Sequence, residues 1–207
     1  MEPGLDWDFW LGPAPQRPYN SVLSPRGVHT HFPNWRSYRE YSGGGMTDWG
    51  AHHFDIAQWG LGMDDSGPVE ILPPDGKDIK TLTYVFANGL RMYHGGGWGG
   101  LLSFRGTEGD APDPKSPKQR EAPPNIHIPN YKGSGGIFGD FLHCVRTRER
   151  PFRDIEIAHR ACTVCHLGNI AYWLKRPLRW DPVKEEIIKD PEAARWLDRT
   201  RREPWVV

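Results

Sequence analysis

The sequence is poor in cysteine and has no excess charge of either sign. It contains three cysteines, an odd number that argues against a disulfide framework. Lysine and arginine together number 26, as do aspartate and glutamate, so the formal net charge is zero. Balanced charge gives no electrostatic argument for a nucleic-acid or anionic-membrane partner.

Long apolar runs and nucleotide-binding motifs are also missing. No run of about 18 apolar residues occurs, so no transmembrane helix is predicted. The first residues lack the basic and apolar regions of a signal peptide, and a cytoplasmic location is expected. No G-x-G-x-x-G motif opens a βαβ unit, and the glycine loop 95–100 lacks the Lys-Ser/Thr of a phosphate-binding loop.

Tryptophan, glycine and proline are abundant instead, at ten, 24 and 20 residues. A chain of 207 residues with this composition is expected to form one domain, residues 1–207, with many turns. Tryptophans scattered among glycines either line a carbohydrate site or fill a shallow core, and the second case is the commoner one. Trp35, Trp49 and Trp98 are the candidates for stacking on a sugar.

The segment from Cys162 to His166 matches the C-x-x-C-H pattern of covalent haem attachment. That chemistry requires export, and no export signal is present. Residues 155–174 also carry the periodicity of one continuous helix, on which Cys162 and Cys165 are small packing residues. We therefore interpret this motif as structural.

The order of elements predicts an α+β fold. Strands are predicted at 69–72, 81–86, 90–93 and 101–109, with an Asn-Gly hairpin turn after the second. Five helices are predicted: 5–11, Thr47 to Gly60 or Gly62, 136–148, 155–174, and a short one after Pro191. Residues 178–182 are predicted to close the helix 155–174. No capping residue is predicted ahead of Trp7, and the basic tail 199–202 is expected to form a surface or subunit contact.

The most informative stretch is 46–59. Three glycines end the preceding structure, and Thr47 is predicted to cap a helix. Asp48, His52 and Asp55 then fall at i, i+4 and i+7, on one helix face. A carboxylate one turn from an imidazole is a compact acid/base pair, although two merely polar histidines at a helix start give the same pattern. The apolar side chains of Phe54, Ile56, Ala57 and Trp59 are expected to hold the helix down.

Three segments together resemble the Gfo/Idh/MocA oxidoreductases. Residues 43–55 look like the family's D-x-x-x-H region. Residues 5–15 resemble the start of the family's second half, and residues 163–172 with 178–182 resemble its end. The resemblance implies a C-terminal α/β domain that binds substrate through an open, mainly antiparallel sheet with helices on one face. It also implies that His52 exchanges the proton of a substrate hydroxyl, with Asp48 assisting. Trp35, Trp49, His53 and Asp55 are the expected substrate contacts.

The family's N-terminal Rossmann domain, which binds NAD or NADP, is not in this sequence. We therefore expect a truncated enzyme or a natural half that binds no cofactor alone and lacks redox activity. The resemblance further implies a sugar-type ligand and a homodimer or homotetramer formed through the sheet. Two alternatives stay open. One is a carbohydrate-binding or scaffold protein. The other is a cofactor-independent lyase or hydrolase using Asp48 and His52, with a metal, not favoured here, on His29, His31, His52 or His53.

Overall fold

The computed structural model describes residues 1–27, 33–95, 102–107, 109–111 and 135–205. These fall into two compact units, Met1–His94 with Ala161–Val207, and Gly95–Arg160. The helices are α1 Trp7–Leu11, α2 Trp49–Leu61, α3 Gly136–Thr147, α4 Ile155–Leu174 and α5 Pro191–Ala194, with 3₁₀ turns at Asn34–Ser37 and Gly44–Met46. The strands are β1 Pro68–Leu72, β2 Leu82–Phe86, β3 Arg91–His94, β4 Phe104–Gly106, β5 Gly109–Ala111, β6 Leu178–Asp181 and β7 Glu186–Ile187.

A five-stranded sheet organises the first unit, in the order β3-β2-β1-β6-β7. All four pairings in it are antiparallel. The predicted Asn-Gly turn joins β2 to β3, and Gly89 adopts φ +87°, which a residue with a Cβ adopts only under strain. The α+β prediction is confirmed.

The core lies between one face of this sheet and the helices α2 and α4. Leu82, Tyr84 and Phe86 alternate along β2 and are fully buried. Phe54 of α2 meets Tyr84 edge-on, with ring centroids 5.3 Å apart. Gly168 of α4 lies so close that a Cβ there would come within 2.1 Å of the Tyr84 hydroxyl oxygen. Helices therefore pack on this face, as predicted.

Residues 178–181, which follow the end of α4, form a strand, β6, that was not predicted from the sequence. Leu178 and Trp180 are buried while Arg179 between them is exposed, which is the two-residue period of a strand. The strand pairs with both β1 and β7. Four residues are too few for this alternation to stand out before the pairing partners are known.

The two ends of the chain are joined in the first unit. Arg202 donates to the carbonyl oxygens of Asp8 and Ala14, and its Nη1 lies 2.9 Å from the Asp8 carboxylate. The basic tail thus makes an intrachain contact. α1 does have a capping residue, contrary to prediction, because the Asp6 side chain accepts from the Phe9 N–H.

The second unit holds the β4–β5 hairpin, α3 and the first residues of α4. Its buried Asp140 accepts a hydrogen bond from the Phe152 N–H at 2.9 Å. The apolar side of α3 is exposed at Ile137, Phe138, Phe141, Leu142 and Val145. Among the described residues of both units, no helix combines the length and apolarity needed to cross a membrane.

Candidate functional site

The glycine run before α2 is a close-packed connection rather than a loose break. A Cβ on Gly43 would lie 2.2 Å from the Thr47 side chain and 2.9 Å from Nδ2 of Asn169. Asn169, buried in α4, donates from that nitrogen to the Gly43 carbonyl oxygen at 2.8 Å. The start of α2 is therefore held by α4, a helix more than a hundred residues later in the chain.

The predicted cap of α2 is wrong by one residue. The helix begins at Trp49, and Asp48 occupies the N-cap position without a capping hydrogen bond from its side chain. The Thr47 hydroxyl instead accepts from the Gly43 N–H and donates to the Gly44 carbonyl oxygen. Thr47 is thus engaged with the preceding turn and is not available to cap the helix.

Asp48 forms an ion pair with Arg36. Nη1 of Arg36, from the 3₁₀ turn Asn34–Ser37, lies 2.8 Å from Oδ2 of Asp48. Each side chain is about one-third exposed, at 32% and 33%. Sequence reasoning missed this arginine, because nothing in the local pattern of 34–37 connects it with a residue twelve positions later.

His52 lies on the solvent side of α2, one turn after Asp48. Its side chain is exposed, and its ring centroid is 6.1 Å from that of Trp49. Within the described residues no hydrogen bond joins Asp48 to His52, since the carboxylate faces Arg36. Asp55, one turn further, is exposed as well. Asp48, His52 and Asp55 therefore share the predicted face of α2, but Asp48 and His52 are not joined by a hydrogen bond in this structure.

The predicted substrate contacts are distributed along this surface. Trp35 neighbours Arg36 and is 37% exposed, and Trp49, at the first turn of α2, is 54% exposed. His53 and Asp55 are exposed as well. His29, His31 and Trp98 lie outside the described residues.

Two of the four apolar residues expected to pack α2 against the core are exposed instead. Phe54 and Ala57 are buried, whereas Ile56 is 44% and Trp59 59% exposed. At 100° per residue, positions 56 and 59 lie on the far side of the helix from 54 and 57. Together with Trp49 they leave apolar surface around His52, and exposed apolar patches of this kind mark binding surfaces.

A pair of polar side chains that the sequence did not reveal, His94 and Tyr172, lies next to Phe54 on the core side of α2. His94 ends β3, and its Nδ1 is 3.4 Å from the hydroxyl of Tyr172 in α4. Its ring centroid is 5.8 Å from that of Phe54 in α2. Desolvation, and then the charge of nearby His53, lower the pKa of His94. The predicted strand ended at Tyr93, one residue before His94. The only sequence signal for His94 was its position two residues after the apolar Met92, which places both side chains on the same face of the strand.

The C-x-x-C-H segment of α4 is only partly buried. All three cysteines are free, with Cys144 and Cys165 buried and Cys162 exposed. Burial raises the pKa of Cys165 to about 12, and its Sγ donates to the Ala161 carbonyl oxygen. Cys165 is a packing residue as predicted, whereas Cys162 is not. No group of three metal-ligating side chains occurs in the described part of the chain.

The described strands do not form a Rossmann unit. A Rossmann site places the pyrophosphate at a helix N-terminus within a parallel βαβ unit. Every strand pairing among the described residues is antiparallel.

The fold is thus an α+β domain with an antiparallel sheet, and its described part contains no Rossmann βαβ unit. The model of an oxidoreductase family's C-terminal alpha/beta domain matches residues 1–96 and 121–207. The chain belongs to this family, the Gfo/Idh/MocA oxidoreductases. No curated protein and no solved structure gives a significant match.

Proposed function

We propose that this chain is the substrate-binding domain of a sugar-type oxidoreductase and that His52 is its proton acceptor. The observation that carries the proposal is the exposed first turn of α2, where Asp48, His52 and Trp49 share one accessible surface in a member of this family. An imidazole is the side chain best suited to take a hydroxyl proton near neutral pH.

Asp48 has a supporting role in this proposal. Its carboxylate is one turn from His52, on the same face of α2. Arg36 fixes that carboxylate from the opposite side at 2.8 Å. A substrate hydroxyl placed between Asp48 and His52 would bridge the two side chains and complete the pair.

The aromatic surroundings support a carbohydrate-like ligand. Trp35, Trp49 and Trp59 are all exposed on the elements that carry Arg36, Asp48 and His52. Flat rings present an apolar face to the C–H side of a sugar, and the indole N–H supplies a donor. The nicotinamide cofactor that the resemblance implies would be held by residues other than those described.

Binding tests this proposal directly. The purified chain is titrated with a panel of neutral sugars, polyols and sugar lactones, and the shift in Tm is recorded. We expect at least one panel member to stabilise the chain, and His52→Ala and Asp48→Asn to remove that stabilisation. His159→Ala changes an exposed histidine of α4 and is the matched control.

The outcomes separate the candidate functions. Stabilisation that survives His52→Ala would indicate a carbohydrate-binding protein in which the tryptophans, not the acid/base pair, hold the ligand. No stabilisation by any panel member would contradict the substrate-binding role. Titration with NADH and NADPH, followed by fluorescence, is expected to give no saturable binding.

We also propose that the sheet face opposite α2 and α4 forms subunit contacts. Arg91 and Tyr93 alternate with Met92, which pairs with the core residue Tyr84, so they lie on that opposite face. Tyr93 is 62% exposed. Light scattering with size exclusion should show an oligomer that Tyr93→Asp dissociates, and a monomeric parent chain would contradict this.

A further inference from the structure

The connection from α2 to β1 folds around the side chain of Gln58, which is only 2% exposed. Nε2 of Gln58 donates to the carbonyl oxygens of Met63 at 3.3 Å and of Ser66 at 3.4 Å. The Met63 N–H in turn donates to the Gln58 carbonyl oxygen at 2.8 Å. The amide of Gln58 is therefore fixed inside this connection by backbone groups on both sides of residues 64 and 65.

Asp64 brings a carboxylate to the same place. The Met63 carbonyl belongs to the peptide group that leads into Asp64, so the Gln58 amide lies beside the Asp64 backbone. Oδ1 of Asp64 and Oε1 of Gln58 are both buried, and neither has a hydrogen-bond partner within the described ranges. A carboxylate and an amide oxygen only accept hydrogen bonds, so these two atoms do not satisfy each other. Because a buried acceptor without a partner is costly, the arrangement indicates a bound donor or cation.

The charges around Asp64 favour a cation over a water molecule. Desolvation raises the pKa of Asp64, and the negative charges of Asp55 and Asp65 raise it further. Asp55 lies one turn before Gln58 on α2. The last turn of α2 carries no basic residue, although a helix dipole favours positive charge at its C-terminal end. A water molecule would supply hydrogen bonds but would leave the negative charge around Asp64 unbalanced.

We propose that the Asp64 carboxylate and Oε1 of Gln58 form a site for a hard divalent cation, Ca²⁺ or Mg²⁺, between α2 and β1. Such ions take carboxylate and amide carbonyl oxygens as ligands and complete their coordination with water. Two protein side chains predict weak binding, with a Kd on the order of 10⁻³ M. Gln58 and His52 lie about 120° apart around α2, so this site is separate from the proposed sugar site and does not depend on it.

Calorimetry tests the site directly. The full chain is treated with EDTA, dialysed and titrated near neutral pH with calcium chloride or magnesium chloride, and potassium chloride of equal ionic strength is the salt control. Asp64→Asn removes the charge and keeps the shape of the side chain. Asp78→Asn makes the same change at an exposed aspartate between β1 and β2 and is the matched control. Circular dichroism checks that each variant is folded, and Asp64→Glu, which displaces the carboxylate, replaces Asp64→Asn if that variant is not.

We expect at least one of the two ions to bind and to raise the Tm by a few degrees at about ten times its Kd. Asp64→Asn should weaken this binding at least about ten-fold, because it removes the carboxylate ligand. Asp78→Asn and His52→Ala should leave the affinity unchanged. In the parent chain, lowering the pH from about 7 to about 5 should also weaken binding, because protons compete for a carboxylate whose pKa is raised.

Two results would overturn the cation site. The first is the absence of saturable binding of either ion up to about 20 mM, well above the expected Kd; water, or a proton on Asp64, would then satisfy the two acceptors. The second is binding that is unchanged in Asp64→Asn, which would place the ion elsewhere. Neither result affects the proposed function, since sugar binding at His52 is measured in a separate titration.

Discussion

The two helices that cover the sheet differ in where their motif residues lie. In α4 the C-x-x-C-H segment is divided, because Cys165 is buried whereas Cys162 and His166 are exposed. In α2, His52 and Asp55 are exposed and Asp48 is one-third exposed. One cysteine of the motif with the stronger chemical signature is therefore a packing residue, while the plainer carboxylate–imidazole spacing is accessible throughout.

Burial limits the chemistry that Cys165 can carry out. The thiolate is the reactive form of cysteine, and burial raises the pKa of Cys165 to about 12, so that form is suppressed. The α2 groups retain access to a ligand. If the buried residues of α4 provide stability and the exposed side of α2 provides binding, substitutions at these two places should affect different measurements.

The largest expected effect is that of Gly168→Ala in α4. The new Cβ would overlap the Tyr84 hydroxyl oxygen at 2.1 Å inside a fully buried core, so we expect a loss of about 3 kcal/mol in the free energy of unfolding, measured by urea denaturation. The Tyr84 hydroxyl has no partner among the described residues, so Tyr84→Phe alone should be nearly neutral. In the Tyr84→Phe background, Gly168→Ala should lower the free energy of unfolding by less than it does in the parent chain. An equal loss in both backgrounds would contradict the overlap with the Tyr84 hydroxyl.

Asn169→Ala should have the next largest effect. It removes the hydrogen bond to the Gly43 carbonyl oxygen and leaves a small cavity, for a loss of about 2 kcal/mol. Asn169→Asp keeps the shape but loses the donor, so it should be at least as damaging. If Asp were tolerated at this position, the donated hydrogen bond would not be what holds the start of α2.

A smaller effect is expected on lowering the pH. Burial lowers the folded-state pKa of His94, and the charge of His53 lowers it further. Burial likewise lowers the folded-state pKa of His166, and the charge of Arg199 lowers it further. The unfolded chain then binds more protons than the folded chain, so stability is complete above about pH 6.5 and falls as the pH drops through the lowered pKa values. His94→Gln should reduce this slope between about pH 7 and 5, whereas His159→Gln should not.

The smallest effects on stability should come from the exposed face of α2. His52→Ala should change the free energy of unfolding by no more than about 0.5 kcal/mol, because the side chain is exposed. Arg36→Ala should cost about 0.5 kcal/mol, since its ion pair with Asp48 is partly solvated. A loss above about 2 kcal/mol for His52→Ala would show that the exposed side of α2 also has a structural role.

Local patterns predicted the elements well where the periodicity was long. α4 begins and ends at the predicted residues 155 and 174, and α2 ends at Leu61 before Gly62, as a glycine C-cap predicts. β6 was missed because four residues carry too little of the two-residue period. The inner and outer sides of α2 were confused at Ile56 and Trp59, since an apolar residue does not by itself show which way it faces.

The sequence determined the family and the i, i+4 spacing of Asp48 and His52, because both are read from neighbouring residues and the 3.6-residue period. Only the tertiary structure decided that Asp48 pairs with Arg36, that Asn169 holds Gly43, and that His94 meets Tyr172. Each of these contacts joins separate elements of the chain, so it depends on strand register and helix packing. Local propensity contains no information about either of those.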